Sequence, residues 1–319
     1  MLQQFLSHFD LGLGPVNLDG QTLCIGQRAV PVRDGIPRFT PDLSYSSGNF
    51  SLLRERHAIL QLDSKNGTQD RLNTLLERTQ WPRSFFAGKT VLECGCGAGP
   101  DTEVLLSLGA KVVAVDIAGL DTARRNLGDR ENLCLVQANI ADMPLAPGVF
   151  DIVFCHRVLQ HTPSPSTTLN SILRHLKPGG AAFVHSYSCE ALQLLRWKYA
   201  LRPITRRMNS ERLYRMVESY APALYRLTSA MDGTALGRLA SWTFVPFLNY
   251  RRKPKFASWS AEALIEYGVH DTFDALSPRY DRPMPRWRMK QIARRHLRRP
   301  FEVVNMSMVN ILRSTQVAS

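Results

Sequence analysis

From about residue 88 onward, short unbroken apolar runs alternate with stretches whose apolar residues recur at helical spacing. "TVLE" (90–93), "KVVAVD" (111–116), "LCLVQAN" (133–139), "FDIVFCH" (150–156) and "AAFVHSYS" (181–188) read as strands. Between them, "TEVLLSL", "LDTARRNL" and "TTLNSILRHL" read as helices. Pro100 suits the first turn of the first helix, Asp101 and Glu103 its positive end, and Gly109 its stop. Strands that are apolar at nearly every position belong in a sheet covered on both faces. Their alternation with helices predicts an α/β fold with a doubly wound, mostly parallel, Rossmann-like sheet.

The rhythm breaks between 189 and 283, a segment rich in Arg, Tyr and Trp that ends in the proline-punctuated "YDRPMPRW". It resumes with the basic helix "WRMKQIARRHL" and the strand-like "FEVVNMSMVNILRS". The expected organisation is an N-terminal extension over 1–84 and a core over 85–188 and 284–319. A helical cap over 189–283 is inserted before the last helix and strands. No internal repeat or low-complexity tract interrupts this plan.

Charge sharpens the picture. Residues 1–188 hold 17 Lys and Arg against 17 Asp and Glu, whereas residues 189–319 hold 23 against 10, so the whole excess of +13 lies in the last two fifths. A localised basic surface fits an acidic substrate, an anionic carrier, nucleic acid or a membrane surface, and equally a solvated face that keeps the chain soluble. No run of 18 apolar residues is present, and the N-terminus lacks the basic and apolar regions of a signal peptide. Six scattered cysteines without a Cys-x-x-Cys suggest a reduced, cytoplasmic protein.

The candidate chemistry sits in "VLECGCGAGP", Val91 to Pro100. Cys94 and Cys96 stand alone, without the four ligands of structural zinc, and no metal is expected there. A glycine turn between strand and helix, with Asp116 at the end of the next strand, is close to a dinucleotide fingerprint. Pro100, however, stands where its third glycine belongs; the pattern is E-x-G-x-G-x-G from Glu93 to Gly99.

With its neighbours, this loop resembles the first motif of the class I S-adenosylmethionine-dependent methyltransferases, in particular a bacterial subgroup with the type 11 methyltransferase domain. "VVAVDIA" is similar to their second-strand acidic motif, "VQANIADMPL" to the adenine-side motif, and "FDIVFCHRVLQH" and "LKPGG" to the fourth and fifth. The resemblance implies S-adenosyl-L-methionine as cofactor. It implies a binding set of Glu93, Gly95, Cys96, Gly97, Gly99, Asp116, Ile117, Asn139, Ile140 and Cys155, with Gln61 covering it from the N-terminal side. Glu93 would face the cofactor's ammonium group, Asp116 its ribose hydroxyls, and Ile117 its adenine. Asn139 stands where the family usually has Asp; it is read either as an adenine partner or as an ordinary strand-end turn residue.

The likeness extends outward. "VPVRDGIPRFTPD" looks like the tail of a zinc-ribbon-like segment, degenerate because only Cys24 remains, while "ILQLDSKNGT" and "TFDALSPRYD" resemble segments flanking the core and ending the cap in the subgroup. Near the strand ends, His156 is the candidate general base and Tyr187 a candidate contact to the sulfonium; His161, Ser186, Asp63, Tyr280 and Asp281 are further candidates. His161 and Tyr187 also fit plain packing roles. The leading expectation is methyl transfer to a small or carrier-bound, acidic metabolite by in-line displacement. One rival is intramolecular cyclisation of the cofactor to a four-membered amino acid with release of methylthioadenosine. A rival of another class is a basic RNA- or membrane-surface-binding protein, suggested by "LLRWKYALRPITRRM".

Overall fold

Among the described residues the central sheet has seven strands, in the order β10 (Phe301–Met306), β11 (Val309–Ser314), β9 (Leu176–Tyr187), β8 (Phe150–Cys155), β5 (Thr90–Cys94), β6 (Lys111–Asp116) and β7 (Leu133–Gln137). The computed structural model describes residues 2–40, 61–189, 195–306 and 308–315. The start of "ILQLDSKNGT", the end of "VPVRDGIPRFTPD" and Leu194 of the basic stretch lie outside the described residues. β5 (Thr90–Cys94), β6 (Lys111–Asp116), β7 (Leu133–Gln137), β8 (Phe150–Cys155) and β9 (Leu176–Tyr187) are parallel. The chain runs outward from β5 through β6 to β7, then returns to place β8 on the other side of β5. That reversal opens a crevice at the carboxyl ends of β5 and β8, where α/β sheets bind ligands.

The apolar strands divide by the two-residue period of the pleat. Leu92, Val113, Cys134 and Val153, in register across four strands, share one face. Val91, Val112, Leu133 and Ile152 share the other. Against the second face pack α1 (Asp70–Thr79), α2 (Pro100–Ser107) and α3 (Leu120–Leu127), through residues such as Leu75, Leu105 and Ala123. Against the first pack α4 (Pro165–Leu173) and α9 (Arg286–His296), through Leu169, Ile172, Met289 and Ile292.

The N-terminal extension covers part of the first face. A 3₁₀ turn over Leu2–Phe9 precedes a four-stranded antiparallel meander of β1 (Val16–Asp19), β2 (Thr22–Ile25), β3 (Arg28–Arg33) and β4 (Ile36–Pro37). Phe5, Leu23, Ile25 and Val30 enter the same core as the sheet. The Arg38 backbone makes an isolated parallel bridge to Gln137 at the end of β7.

Several boundaries differ from the sequence reading for local reasons. α4 starts at Pro165, because the Ser164 hydroxyl accepts the Thr167 N–H and caps the turn. β9 begins at Leu176 and absorbs "LKPGG", with a register shift against Phe150 and Ile152 that accommodates Pro178. A Cβ on Gly180 would meet Leu176 at 2.8 Å and the Asp151 carbonyl at 3.0 Å, so a glycine permits that approach. The last apolar stretch is two antiparallel strands, β10 (Phe301–Met306) and β11 (Val309–Ser314), with β11 antiparallel to β9.

Chain contacts divide the protein into two units. Residues 2–40, 61–189 and 280–315 form the unit just described, and residues 195–279 the other. The second unit holds α5 (Trp197–Thr205), α6 (Ser210–Met231), α7 (Ala235–Phe244) and α8 (Ala261–Leu276) around a core that includes Leu213, Val217, Phe247, Val269 and Phe273. Arg202 is buried there and donates to the Ala275 and Pro278 carbonyls. Among the described residues, no helix is long and apolar enough to cross a membrane.

Candidate active site

The loop after β5 is shaped by close approach. At Gly95, where φ is 88°, an added Cβ would lie 2.3 Å from a methyl of Val158 in the turn after β8. At Gly99, where φ is 93°, it would lie 2.7 Å from Leu127 at the end of α3. Both conformations strain any residue with a Cβ, and both sites lack room for one. The backbone therefore passes tightly between β8 and α3 and leads straight into α2.

Asp116 ends β6 opposite this loop and is buried. Its Oδ2 accepts the Gly97 N–H at 2.8 Å, and its Oδ1 accepts the N–H groups of Ile117 at 2.7 Å and Ala118 at 3.1 Å. Three backbone donors fix this carboxylate. Ile117 follows, half-buried, with its carbonyl held by the Gln137 amide at 3.2 Å.

Glu93 is buried at the end of β5, and the Thr102 hydroxyl donates to its Oε2 at 2.6 Å. Burial, reinforced by the charge of Asp101, pushes its pKa up to about 8. A cation placed beside it would reverse that shift by favouring the ionised form. Asp101 opens α2. Burial pushes its carboxyl up, but Arg71 and His156 outweigh that and hold it well below the usual carboxylate range. The Arg71 guanidinium lies 3.7 Å from Oδ1, and Oδ1 has no hydrogen-bond partner among the described residues. Arg71 also donates to the side chain of Gln61.

His156 sits just beyond β8, buried among the rings of Phe154, Phe183 and His185. Its Nδ1 is 2.9 Å from Asp101 Oδ2 and its Nε2 is 2.8 Å from the Arg78 guanidinium. Arginine only donates, so Nε2 accepts and the single ring proton sits on Nδ1. Burial keeps the ring neutral, with its pKa pushed down to about 4 despite the pull of Asp101. Both nitrogens are thus occupied, and a proton-acceptor role for His156 requires Arg78 to withdraw. The arrangement makes His156 a fixed link between α1 and α2.

The remaining candidates fall into place as follows. Asn139 is half-buried after β7, and its Oδ1 accepts the Ala141 N–H at 3.0 Å, the geometry of a strand-end turn. Ile140, Cys96 and Cys155 are buried in the core, and burial pushes the Cys155 thiol up to about 12, so it stays protonated. Tyr187 closes β9, its ring edge-on to His161 at 5.8 Å. His161 Nδ1 is 3.1 Å from the Tyr280 carbonyl. Ser186 is fully buried and donates weakly to the Tyr187 carbonyl at 3.5 Å. Asp63 accepts the Arg71 and Leu72 N–H groups of the first turn of α1 at 3.0 Å each. Asp281 follows Tyr280 in the segment leading to α9.

The structure thus brings Glu93, Gly95, Gly97, Gly99, Asp116 and Ile117 together at the carboxyl ends of β5 and β6 and in the loop into α2. It adds Arg71, Arg78 and Thr102, which sequence reasoning did not single out, and Asp101, which it read only as a helix-start residue. One signal was available: Arg71 and Arg78 are seven residues apart on α1, hence on one helix face.

Residues 92–184 match the family described as Methyltransferase domain. The chain is similar to a ubiquinone biosynthesis O-methyltransferase of Pseudomonas paraeruginosa, 35% identical over 113 residues, covering 34% of this chain and 49% of that protein. It is similar to a demethylmenaquinone methyltransferase of Clavibacter sepedonicus, 28% identical over 200 residues, covering 59% of this chain and 73% of that one. Among solved structures, an S-adenosylmethionine-dependent methyltransferase of Listeria monocytogenes is 25% identical with a TM-score of 0.33, covering 37% of this chain and 55% of that one. The chain spans about half the length of the ubiquinone-pathway relative.

Proposed function

We propose that this chain, whose residues 92–184 belong to the class I S-adenosylmethionine-dependent methyltransferase superfamily, transfers the methyl group of S-adenosylmethionine to an oxygen or ring carbon of a small, quinone-type aromatic acceptor. The observation that carries the reading is Asp116, fixed by three backbone donors opposite a glycine loop that has no room for a Cβ. That pairing of a rigid carboxylate with close backbone approach fits a ribose and an uncharged linkage better than a pyrophosphate. The orphaned Asp101 Oδ1 and the proton-holding Glu93 suit the cationic amino end of the same molecule, and Arg71 its carboxylate.

S-adenosylmethionine supplies an electrophilic methyl on a sulfonium that leaves as a neutral thioether. The protein's task is to hold acceptor and methyl in line and to exclude water. In this proposal His156 acts as a positioning residue, tying Arg78 to Asp101. His161, whose Nδ1 lies 3.1 Å from the Tyr280 carbonyl, is the proton acceptor for a phenolic nucleophile. Tyr187, edge-on to His161, lines the same end of the sheet. The quinone-type acceptor is supported by the names of the relatives at 28% and 35% identity. A cytoplasmic place of action belongs to the same proposal and is supported by six free cysteines.

The test is product analysis by mass spectrometry with catechol- and quinol-type acceptors. S-adenosylhomocysteine formed only when acceptor is present supports the proposal. Methylthioadenosine released without any acceptor would overturn it in favour of cyclisation.

A further inference from the structure

The second unit carries an unusual surface. Residues 195–257 hold 13 Lys and Arg against 3 Asp and Glu. Seven of the nine large apolar side chains that the described residues expose fall between Leu195 and Phe244. Solvated basic faces explain the charge but not the company of bare leucines, since exposed apolar clusters rimmed by polar groups mark contact sites.

α7 shows how the two features join. None of its residues is buried. One side of the helix holds to its own unit: Trp242 stacks under the Arg196 guanidinium at 5.6 Å, and Arg238 donates to the Asp232 carbonyl at 3.1 Å. On the opposite arc Leu236 and Phe244 are each 76% exposed and Leu239 is 53% exposed. Helical spacing puts these three within one broad stripe. The inward side lines a cavity of about 340 Å³ together with Arg196, Arg252 and Lys253. Asp232 is the single carboxylate among its lining groups, against four cations with Arg238 included. Arg196 Nε is buried there and has no hydrogen-bond partner among the described residues.

We infer that this unit docks on an anionic phospholipid bilayer. Leu236, Leu239 and Phe244 enter the boundary between headgroups and acyl chains, and the cations of the same unit meet the headgroup phosphates. Charge complementarity selects this occupant: the unit's surplus of cations needs an anionic surface, and the stripe on α7 needs an apolar phase. An amphipathic helix with a cationic flank meets both at a membrane interface. A nucleic acid would satisfy the cations but leave the stripe in water. The inference does not depend on the methyl-transfer proposal.

The experiment is co-sedimentation of the full chain with vesicles of phosphatidylcholine mixed with phosphatidylglycerol, and of phosphatidylcholine alone, at about 0.1 M salt. The expected result is retention by the mixed vesicles only. The Arg252→Glu/Lys253→Glu variant should lose about 25-fold or more in vesicle affinity, and Leu236→Ser/Leu239→Ser should lose at least about tenfold. Circular dichroism and thermal unfolding of each variant serve as the folding control. Equal retention by neutral vesicles, no retention by either, or variants that bind like the parent would overturn the inference. So would tighter binding of bulk RNA than of mixed vesicles, or binding of soluble glycerol phosphate with no vesicle retention.

Discussion

Glu93 offers the sharpest quantitative consequence. With its pKa pushed up to about 8, its carboxyl is about nine-tenths protonated at pH 7 in the ligand-free protein. A cationic amino group beside it is best received by the ionised form, so uptake of S-adenosylhomocysteine should expel that proton. The linkage gives about 0.9 proton released per site at pH 7, and an affinity that climbs about ninefold between pH 6 and pH 7. Below pH 7 the ligand's own amine stays charged and adds no slope of its own. Titration calorimetry in buffers of different ionisation enthalpy counts the proton directly. Glu93→Gln keeps the shape and the Thr102 hydrogen bond but holds no titratable proton. Its affinity should be flat over the same range, with no proton released. A parent protein whose affinity does not change with pH, or a variant that releases the same proton, would refute the reasoning. The ligand-free stability follows with the opposite sense. The folded state keeps a proton that the unfolded chain gives up near 4.5, so the Glu93 contribution is lost as pH rises from there toward about 8.

Three further outcomes can be checked. Gly95→Ala forces a Cβ toward Val158 at a left-handed φ; it should cost about 1–3 kcal/mol of unfolding free energy and abolish cofactor binding, read by denaturant titration and calorimetry. His156→Ala leaves Asp101 and Arg78 facing an empty site and should cost about 3–5 kcal/mol. Because burial pushes the His156 pKa down to about 4, its contribution to stability rises with pH from there to 6.5, and thermal scans of the variant should lose that acid-side slope. His161→Gln should lower kcat by about 100-fold or more with little change in cofactor affinity, read by steady-state kinetics and calorimetry.

The parts of the fold that were legible in the sequence share a physical cause. β5 to β8 are buried on both faces, so their apolar runs are continuous, and the glycine loop announces itself because a Cβ at Gly95 or Gly99 has nowhere to go. The N-terminal meander was hidden because its strands are two to six residues long and half-exposed, too short to display a period. The polar centre was hidden for another reason. Asp101 and His156 are 55 positions apart and Arg78 and His156 are 78 apart, so only the packing of α1, α2 and β8 makes them neighbours. Asp101 was legible as a helix-start residue and nothing more, and His156 as a polar group at a strand end. Their mutual bonds occupy both ring nitrogens of His156.

The central claim is that the loop from Glu93 to Gly99 and the carboxylate of Asp116 together form a cradle for S-adenosylmethionine. Calorimetric titration of the parent protein and of Asp116→Ala with S-adenosylhomocysteine tests it most directly. The account predicts one site per chain in the parent and a loss of about 100-fold or more in the variant, as two hydrogen bonds to a charged acceptor disappear. No binding by the parent, or equal binding by the variant, would contradict it.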